Sequence, residues 1–100
     1  DLFLSYNANS QDLSSADFLD LDISYDGGAT WLTVMSWNED HGDLHGAGEA
    51  VALLLDDVIP VGTSTIVLRW HYYTTASSPW QWYAEIDDAI LSGGSAWLTV

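Results

Sequence analysis

Two adjacent pairs of aspartates are the residues of this sequence best suited to chemistry. Asp87 and Asp88 lie within a long β-prone segment, and Asp56 and Asp57 lie within the apolar segment Ala50–Ile59. Strict alternation along a strand predicts that Asp88 shares the core face of Ile86, where an unpartnered carboxylate is costly. Hard carboxylate oxygens are the ligands that Ca²⁺ prefers, so both pairs are predicted calcium ligands. The alternative for Asp87 and Asp88 is a strand end whose carboxylate caps a neighbouring loop.

The charge balance bears on the same question. The sequence has 15 acidic residues and a single basic one, Arg69, which gives a formal net charge of −14 at pH 7. Such a field repels nucleic acid and anionic membranes and strains the compact state by self-repulsion. Bound calcium, high ambient salt or a cationic partner would offset that strain. Adaptation to a saline or acidic habitat accounts for the composition equally well.

Six tryptophans indicate a second kind of chemistry, the binding of carbohydrate. Trp80 and Trp82, with Tyr73 nearby, could form a platform for sugar rings, because aromatic side chains offer flat apolar faces with polar handles. The alternative is a core role. Alternation predicts that Trp31, Trp70 and Trp82 point inward, and it leaves Trp80 outside.

No catalytic constellation is apparent, and the sequence predicts a protein that is not an enzyme. Serines and three histidines are present, but no nucleophile elbow or comparable signature surrounds them. His41 and His45 lie in an acidic loop, and two interpretations are open for them. They could be ligands of a transition metal, or they could simply be exposed to solvent. The absence of cysteine excludes disulfides, thiol nucleophiles and cysteine-ligated zinc.

Strands must position these side chains, because no segment has sustained helical spacing. Asp17–Tyr25 and Thr30–Trp37 flank the tight-turn signal at residues 26–28, which predicts a hairpin. Further strands are predicted at Leu2–Tyr6, Ala50–Ile59, Thr65–Tyr73, Trp80–Leu91 and Ala96–Val100. About seven strands separated by turns predict one all-β domain, an antiparallel sandwich or barrel. No apolar run approaches the roughly 20 residues of a membrane span.

The turn of the predicted hairpin carries a pattern of its own. Ser24, Asp26, Gly28, Thr30 and Trp31 have the spacing of an Asp box, whose side chains satisfy the amides of a turn. Propellers that use this motif need several copies, and the sequence has one. The pattern therefore predicts a structural turn.

Three pieces in this order resemble a known family: Ser24–Trp31, Ile66–Tyr72 and Ile86–Ile90. From Leu2 to Leu91 the chain resembles the MAM-like jelly-roll modules of secreted bacterial proteins, which occur beside peptidases of the immune inhibitor A type and in cleaved adhesins. The resemblance implies a jelly-roll β-sandwich, an extracellular or cell-surface location, and a calcium site near the Asp87–Asp88 pair. Those modules have further strands before the point where this chain begins. The resemblance therefore also implies a missing N-terminal edge strand, supplied by the same polypeptide or by a neighbouring molecule.

The sequence thus predicts a non-catalytic extracellular module for binding, adhesion or assembly, stabilised by calcium. Its expected partners are an extracellular glycan, a protein surface or neighbouring subunits, without nucleic acid and without membrane insertion. One competing hypothesis is a carbohydrate-binding module of a secreted polysaccharide-degrading enzyme. Another is a structural subunit of an extracellular polymer built by strand donation. Because residues 1–100 open with Asp1 and show no signal peptide, a processed or excised part of a longer protein is expected.

Overall fold

A computed structural model describes residues 2–11, 16–42, 46–75, 83–93 and 96–97. The strands are β1 (Leu2–Gln11), β2 (Asp17–Ser24), β3 (Leu32–Trp37), β4 (Glu49–Leu54), β5 (Val67–Thr74), β6 (Tyr83–Gly93) and β7 (Ala96–Trp97). The regular structure of the described residues is entirely β, which confirms the all-β character that the sequence predicts. No described segment forms a helix long and apolar enough to cross a membrane.

The strands form two antiparallel sheets. One has the order β4-β1-β6-β7, and the other has the order β3-β2-β5. Only the connections from β2 to β3 and from β6 to β7 stay within a sheet, so the other four connections pass from one sheet to the other. The pairing of β2 with β5 is unbroken from Asp17 opposite Thr74 to Ser24 opposite Val67. That regular register decides which side chains of these two strands lie side by side.

Apolar residues from both sheets form a shared core. Its buried members are Leu4, Tyr6, Ala8, Leu19, Leu21, Trp37, Leu55 and Leu91. Tyr6 of one sheet and Trp70 of the other meet edge to face, with ring centroids 5.2 Å apart and planes at 78°. Full burial of one large apolar side chain stabilises a fold by about 1.5–3 kcal/mol. Because both sheets contribute to this core, they are the two layers of a sandwich-like arrangement. The inward position predicted for Trp70 is confirmed.

Side chains hold the turn between β2 and β3, as the Asp-box spacing predicts. The Ser24 hydroxyl donates to Asp26 Oδ1 (2.7 Å) and accepts from the Gly28 amide (2.9 Å). Asp26 also accepts from the hydroxyl of Thr30 (2.5 Å) and from its amide (2.9 Å), and these hydrogen bonds lower the pKa of Asp26 to about 2. Gly28 has a φ of 98°, a conformation that glycine adopts without steric cost. The structural role of this motif is confirmed.

A β-bulge in β6 alters the predicted positions of the acidic pair. The pairing moves from Ser5 opposite Ile90 to Asn7 opposite Asp87, so β6 contains one extra residue. Asp88 has a φ of 55°, and its amide donates to Asp87 Oδ1 (2.8 Å). Asp88 is exposed. The prediction that Asp88 lies on the core face is wrong, because the bulge breaks the alternation on which it depended.

A second irregularity moves Trp31. Leu21 pairs with Met35 but Asp22 pairs with Thr33, so β3 also contains one extra residue. The predicted inward position of Trp31 is wrong, because this shift reverses the alternation from Thr33 back to the turn. The Trp31 ring instead packs against Arg69, on the side of the sheet that faces away from the core.

His41 ties the loop between β3 and β4 to the edge of β1. Its amide and carbonyl exchange two 2.9 Å hydrogen bonds with Ser10, and its ring stacks on Trp37 at 3.7 Å. Its Nδ1 and Nε2 lie 3.0 and 2.8 Å from carboxylate oxygens of Glu49 and Glu39. Burial opposes protonation, but the two carboxylates outweigh it and raise the pKa of His41. Since both ring nitrogens already have partners, His41 serves as a clamp for the loop. His45 lies outside the described residues.

Candidate ligand-binding face

The central strand β2 is buried on both of its faces. Leu19, Leu21 and Ile23 face the core, while Asp20, Asp22 and Ser24 alternate with them on the opposite side. The three polar residues are nevertheless only 8%, 3% and 0% exposed. Side chains from the flanking strands cover them, and this covered surface of the β3-β2-β5 sheet is called the outer face below.

Asp22 and Arg69 form the first contact of the outer face. Arg69 Nε and Nη2 donate to Asp22 Oδ2 at 3.1 and 2.8 Å, and the Thr33 hydroxyl donates to Asp22 Oδ1 at 2.7 Å. The guanidinium carbon lies 4.0 Å from the centroid of the Trp31 ring, a cation–π arrangement. Burial alone would raise the pKa of Asp22, but the hydrogen bonds from Thr33 and Arg69 and the charge of Arg69 lower it. Arg69 is thus fixed by a carboxylate on one side and an indole on another.

Asp20 holds the second contact in the same way. Its Oδ1 accepts from the Ser36 hydroxyl at 2.5 Å, and its Oδ2 accepts from the Tyr73 hydroxyl at 3.0 Å. The hydrogen bond to this carboxylate, together with burial, raises the pKa of Tyr73. The Tyr73 ring also stacks on Phe18, its cross-strand partner, with centroids 5.3 Å apart and planes at 18°. The ring of Tyr73 therefore has both its polar end and one face held in place.

These contacts align five planar side chains, which together are called the planar row: Trp31, Arg69, His71, Tyr73 and Phe18. Arg69, His71 and Tyr73 are alternate residues of β5 and so share one face, roughly 13 Å long at 3.3 Å per residue. The rings of His71 and Tyr73 lie 4.6 Å apart. Trp31 packs against Arg69 at one end of this face, and Phe18 of β2 lies beside Tyr73 at the other. The row is thus a group of planar side chains with polar edges on one face of the sheet.

The predicted ligand-binding residues are partly described. Tyr73 lies in the planar row, whereas Trp80 and Trp82 lie outside the described residues. The other members of the row were missed. Arg69 and His71 could have been found, because they alternate with Trp70 and Tyr72 in the most regular predicted strand. Trp31 could not, because its position depends on the extra residue of β3.

The aspartates predicted to bind calcium lie at two separate places. Asp87 and Asp88 occupy the bulge of β6, where the side-chain amide of Asn7 donates from Nδ2 to Asp88 Oδ2 at 3.3 Å. Asp56 and Asp57 lie in the turn after β4, where Asp56 Oδ1 accepts from the backbone amide of Leu2 at 2.7 Å.

The strand β1 gives the separation of these two places. Leu2 lies beside the Asp56–Asp57 pair, and Asn7 lies beside the Asp87–Asp88 pair. The two residues are five steps apart along β1, which corresponds to roughly 17 Å. The two pairs do not meet in one site. Within the part of the chain that the structure describes, no three His, Asp or Glu side chains come together as a metal-binding group. Calcium binding stays a prediction.

Comparisons with known proteins add no relative to this picture. No family model matches the chain, and neither a curated protein nor a solved structure matches it. The likeness to MAM-like modules therefore stays a resemblance of short sequence pieces.

The ion pair of the outer face predicts a specific loss of stability. Replacing Arg69 with Gln leaves the Asp22 carboxylate buried without its cation, which should lower the free energy of unfolding by about 2 kcal/mol. Denaturant unfolding measures this difference. The double variant R69Q/D22N removes the orphaned charge and should recover more than half of the loss. An R69Q protein as stable as the parent would contradict the pairing.

Proposed function

We propose that this chain is a non-catalytic extracellular binding module whose ligand lies along the planar row. The observation that carries the proposal is the grouping of five planar side chains, from β5, β2 and the residue before β3, on one sheet face. Buried carboxylates hold two of them, Arg69 and Tyr73, in fixed orientations. Fixed side chains lose little conformational entropy when a ligand binds, and such preorganisation favours affinity.

A carbohydrate chain is the ligand that this surface suits best. Aromatic rings offer apolar surface to sugar rings, and their polar edges meet hydroxyl groups. Arg69, His71 and Tyr73 follow one another along β5 with backbone positions about 6.6 Å apart, so an extended chain of sugar rings can contact more than one of them. A protein ligand is the alternative, because Trp, Tyr and Arg are also enriched at protein interfaces. The regular spacing of these residues along β5 favours the glycan.

We also propose that the two sheets have jelly-roll topology and accept one further strand. Four connections that cross between the sheets suit a jelly-roll of the kind implied by the resemblance. Among the described strands, β4 pairs with β1 alone, so its other edge would accept the additional strand expected from that resemblance. A strand from the same polypeptide fits a module of a larger adhesin or enzyme, and one from a neighbouring molecule fits an extracellular polymer.

The binding proposal predicts which substitutions matter. Titration with neutral hexasaccharides (gluco-, xylo-, manno- and N-acetylglucosamine series) should quench tryptophan fluorescence with at least one series. Phe18→Ala and Trp31→Ala should each weaken that binding about tenfold, a loss of about 1.4 kcal/mol. Phe3→Ala is the matched control, because Phe3 is 45% exposed on the other sheet. The proposal fails if no series binds, or if the control weakens binding as much as Phe18→Ala.

We also propose that calcium stabilises the fold by offsetting its carboxylate charge. A ligand that binds the folded state raises its stability, so chelator should lower the melting temperature by several degrees at low salt. Sodium chloride of equal ionic strength separates site binding from general screening. Asp88→Asn and Asp56→Asn test the two candidate places, and the variant that loses the calcium effect identifies the ligand. A melting temperature indifferent to chelator would contradict the proposal.

A further inference from the structure

We infer that the planar row selects uncharged polysaccharides and rejects acidic ones. This inference rests on the proposed binding function and names the ligand class of the same site. It follows from where the single arginine of the protein is placed, and from how the hydrogen-bonding capacity of the row is already used.

The outer face has no uncompensated positive charge to offer an anion. Arg69 is the only basic residue in a sequence with 15 acidic ones. Its Nε and Nη2 both donate to Asp22 Oδ2, so the guanidinium charge is balanced by the carboxylate beneath it. A uronate or sulfate placed on the row would meet a neutral ion pair, a second buried carboxylate at Asp20 and the negative field of the whole protein. That field is screened over about 10 Å at 0.1 M salt, so the rejection should weaken as salt rises.

The buried carboxylates are equally unavailable to a cationic sugar. Asp22 accepts from Thr33 and Arg69, and Asp20 accepts from Ser36 and Tyr73, so each of their four oxygens already has a donor. An amino-sugar polymer would still be attracted by the net charge of −14. That attraction is spread over the surface and needs no contact with the planar row. Salt should abolish it.

Neutral hydroxyl groups match what the row leaves open. Arg69 Nη1 makes no hydrogen bond to a described residue, and the side chain is 42% exposed. His71 is exposed in the middle of the row, with its ring against that of Tyr73. The Tyr73 hydroxyl gives its hydrogen to Asp20, so its oxygen can only accept from a ligand. Single donors and acceptors beside aromatic rings suit hydroxyl-bearing sugars without charge.

Matched polymer pairs test the inference, because they share a backbone and differ in charge. Hydroxyethylcellulose is compared with carboxymethylcellulose, and methyl-esterified polygalacturonate with its free acid. Affinity gel electrophoresis and calorimetry are run with chelator present, at 20 and 500 mM NaCl. Whichever pair is recognised, the neutral member should bind with less than a twofold change between the two salts. The acidic member should bind at least tenfold more weakly at low salt and recover part of the difference at high salt.

Two variants connect the selectivity to the row. Phe18→Ala should weaken binding of the neutral member about tenfold, whereas Phe3→Ala should leave it unchanged. Asp22→Asn releases the charge of Arg69, so the affinity ratio of acidic to neutral polymer should rise at least threefold. An acidic polymer that binds as tightly as its neutral partner at low salt would overturn the inference while leaving the binding function intact. If neutral hexasaccharides and every polymer fail to bind, the proposed function fails and the inference fails with it.

Discussion

The burial of two carboxylates on the far side of β2 is the constraint on which the rest of the outer face depends. A charged group taken out of water is costly unless it is paired and hydrogen-bonded. Asp20 and Asp22 are therefore tolerated only because Ser36 and Thr33 approach from one flanking strand and Tyr73 and Arg69 from the other. The same contacts that satisfy the carboxylates also orient the planar groups above them. A requirement of folding thus produces an ordered surface.

The placement of Arg69 shows how an extreme charge balance is managed. A chain with one cation can neutralise a single buried carboxylate, and here it does so at the centre of the three-stranded sheet. Asp20 is satisfied by hydroxyl groups alone. Most of the other described acids are exposed, where water solvates them at little cost. The net charge is therefore mainly a property of the remaining surface, and the outer face is locally close to neutral.

Much of the fold could be predicted from the sequence because β2, β5 and the turn after β2 obey simple rules. The predicted strand Asp17–Tyr25 contains β2, whose alternate residues Leu19, Leu21 and Ile23 are buried, and side-chain chemistry identified the turn held by Ser24 and Asp26. Alternation fails where a strand gains a residue. The bulge at Asp88 has a positive φ at a residue that is not glycine, so nothing in the sequence indicates it. The side chains of β6 nevertheless change faces at this residue.

The site was less predictable than the fold for the same reason. Tyr73 was found by its aromatic type, but its partners Phe18 and Asp20 lie on β2, and the register of β2 against β5 decides which side chains meet. Trp31 reaches Arg69 only after the extra residue in β3 reverses its facing. The burial of Asp20 and Asp22 was equally hidden, since an alternating polar face is ordinarily exposed to water. These features depend on pairing between distant segments, which one sequence does not specify.

A preformed binding face requires Arg69 to be fixed between Asp22 and Trp31 before any ligand binds. The chain has one arginine and no lysine, so the Arg69 side-chain Nε–H should give one isolated resonance in ¹⁵N NMR. Relaxation of that nitrogen in the ligand-free protein measures its order directly. A fixed guanidinium predicts an order parameter close to the value of about 0.85 found for rigid backbone. A value below about 0.6 would mean that the guanidinium moves freely, and it would contradict a preformed binding face.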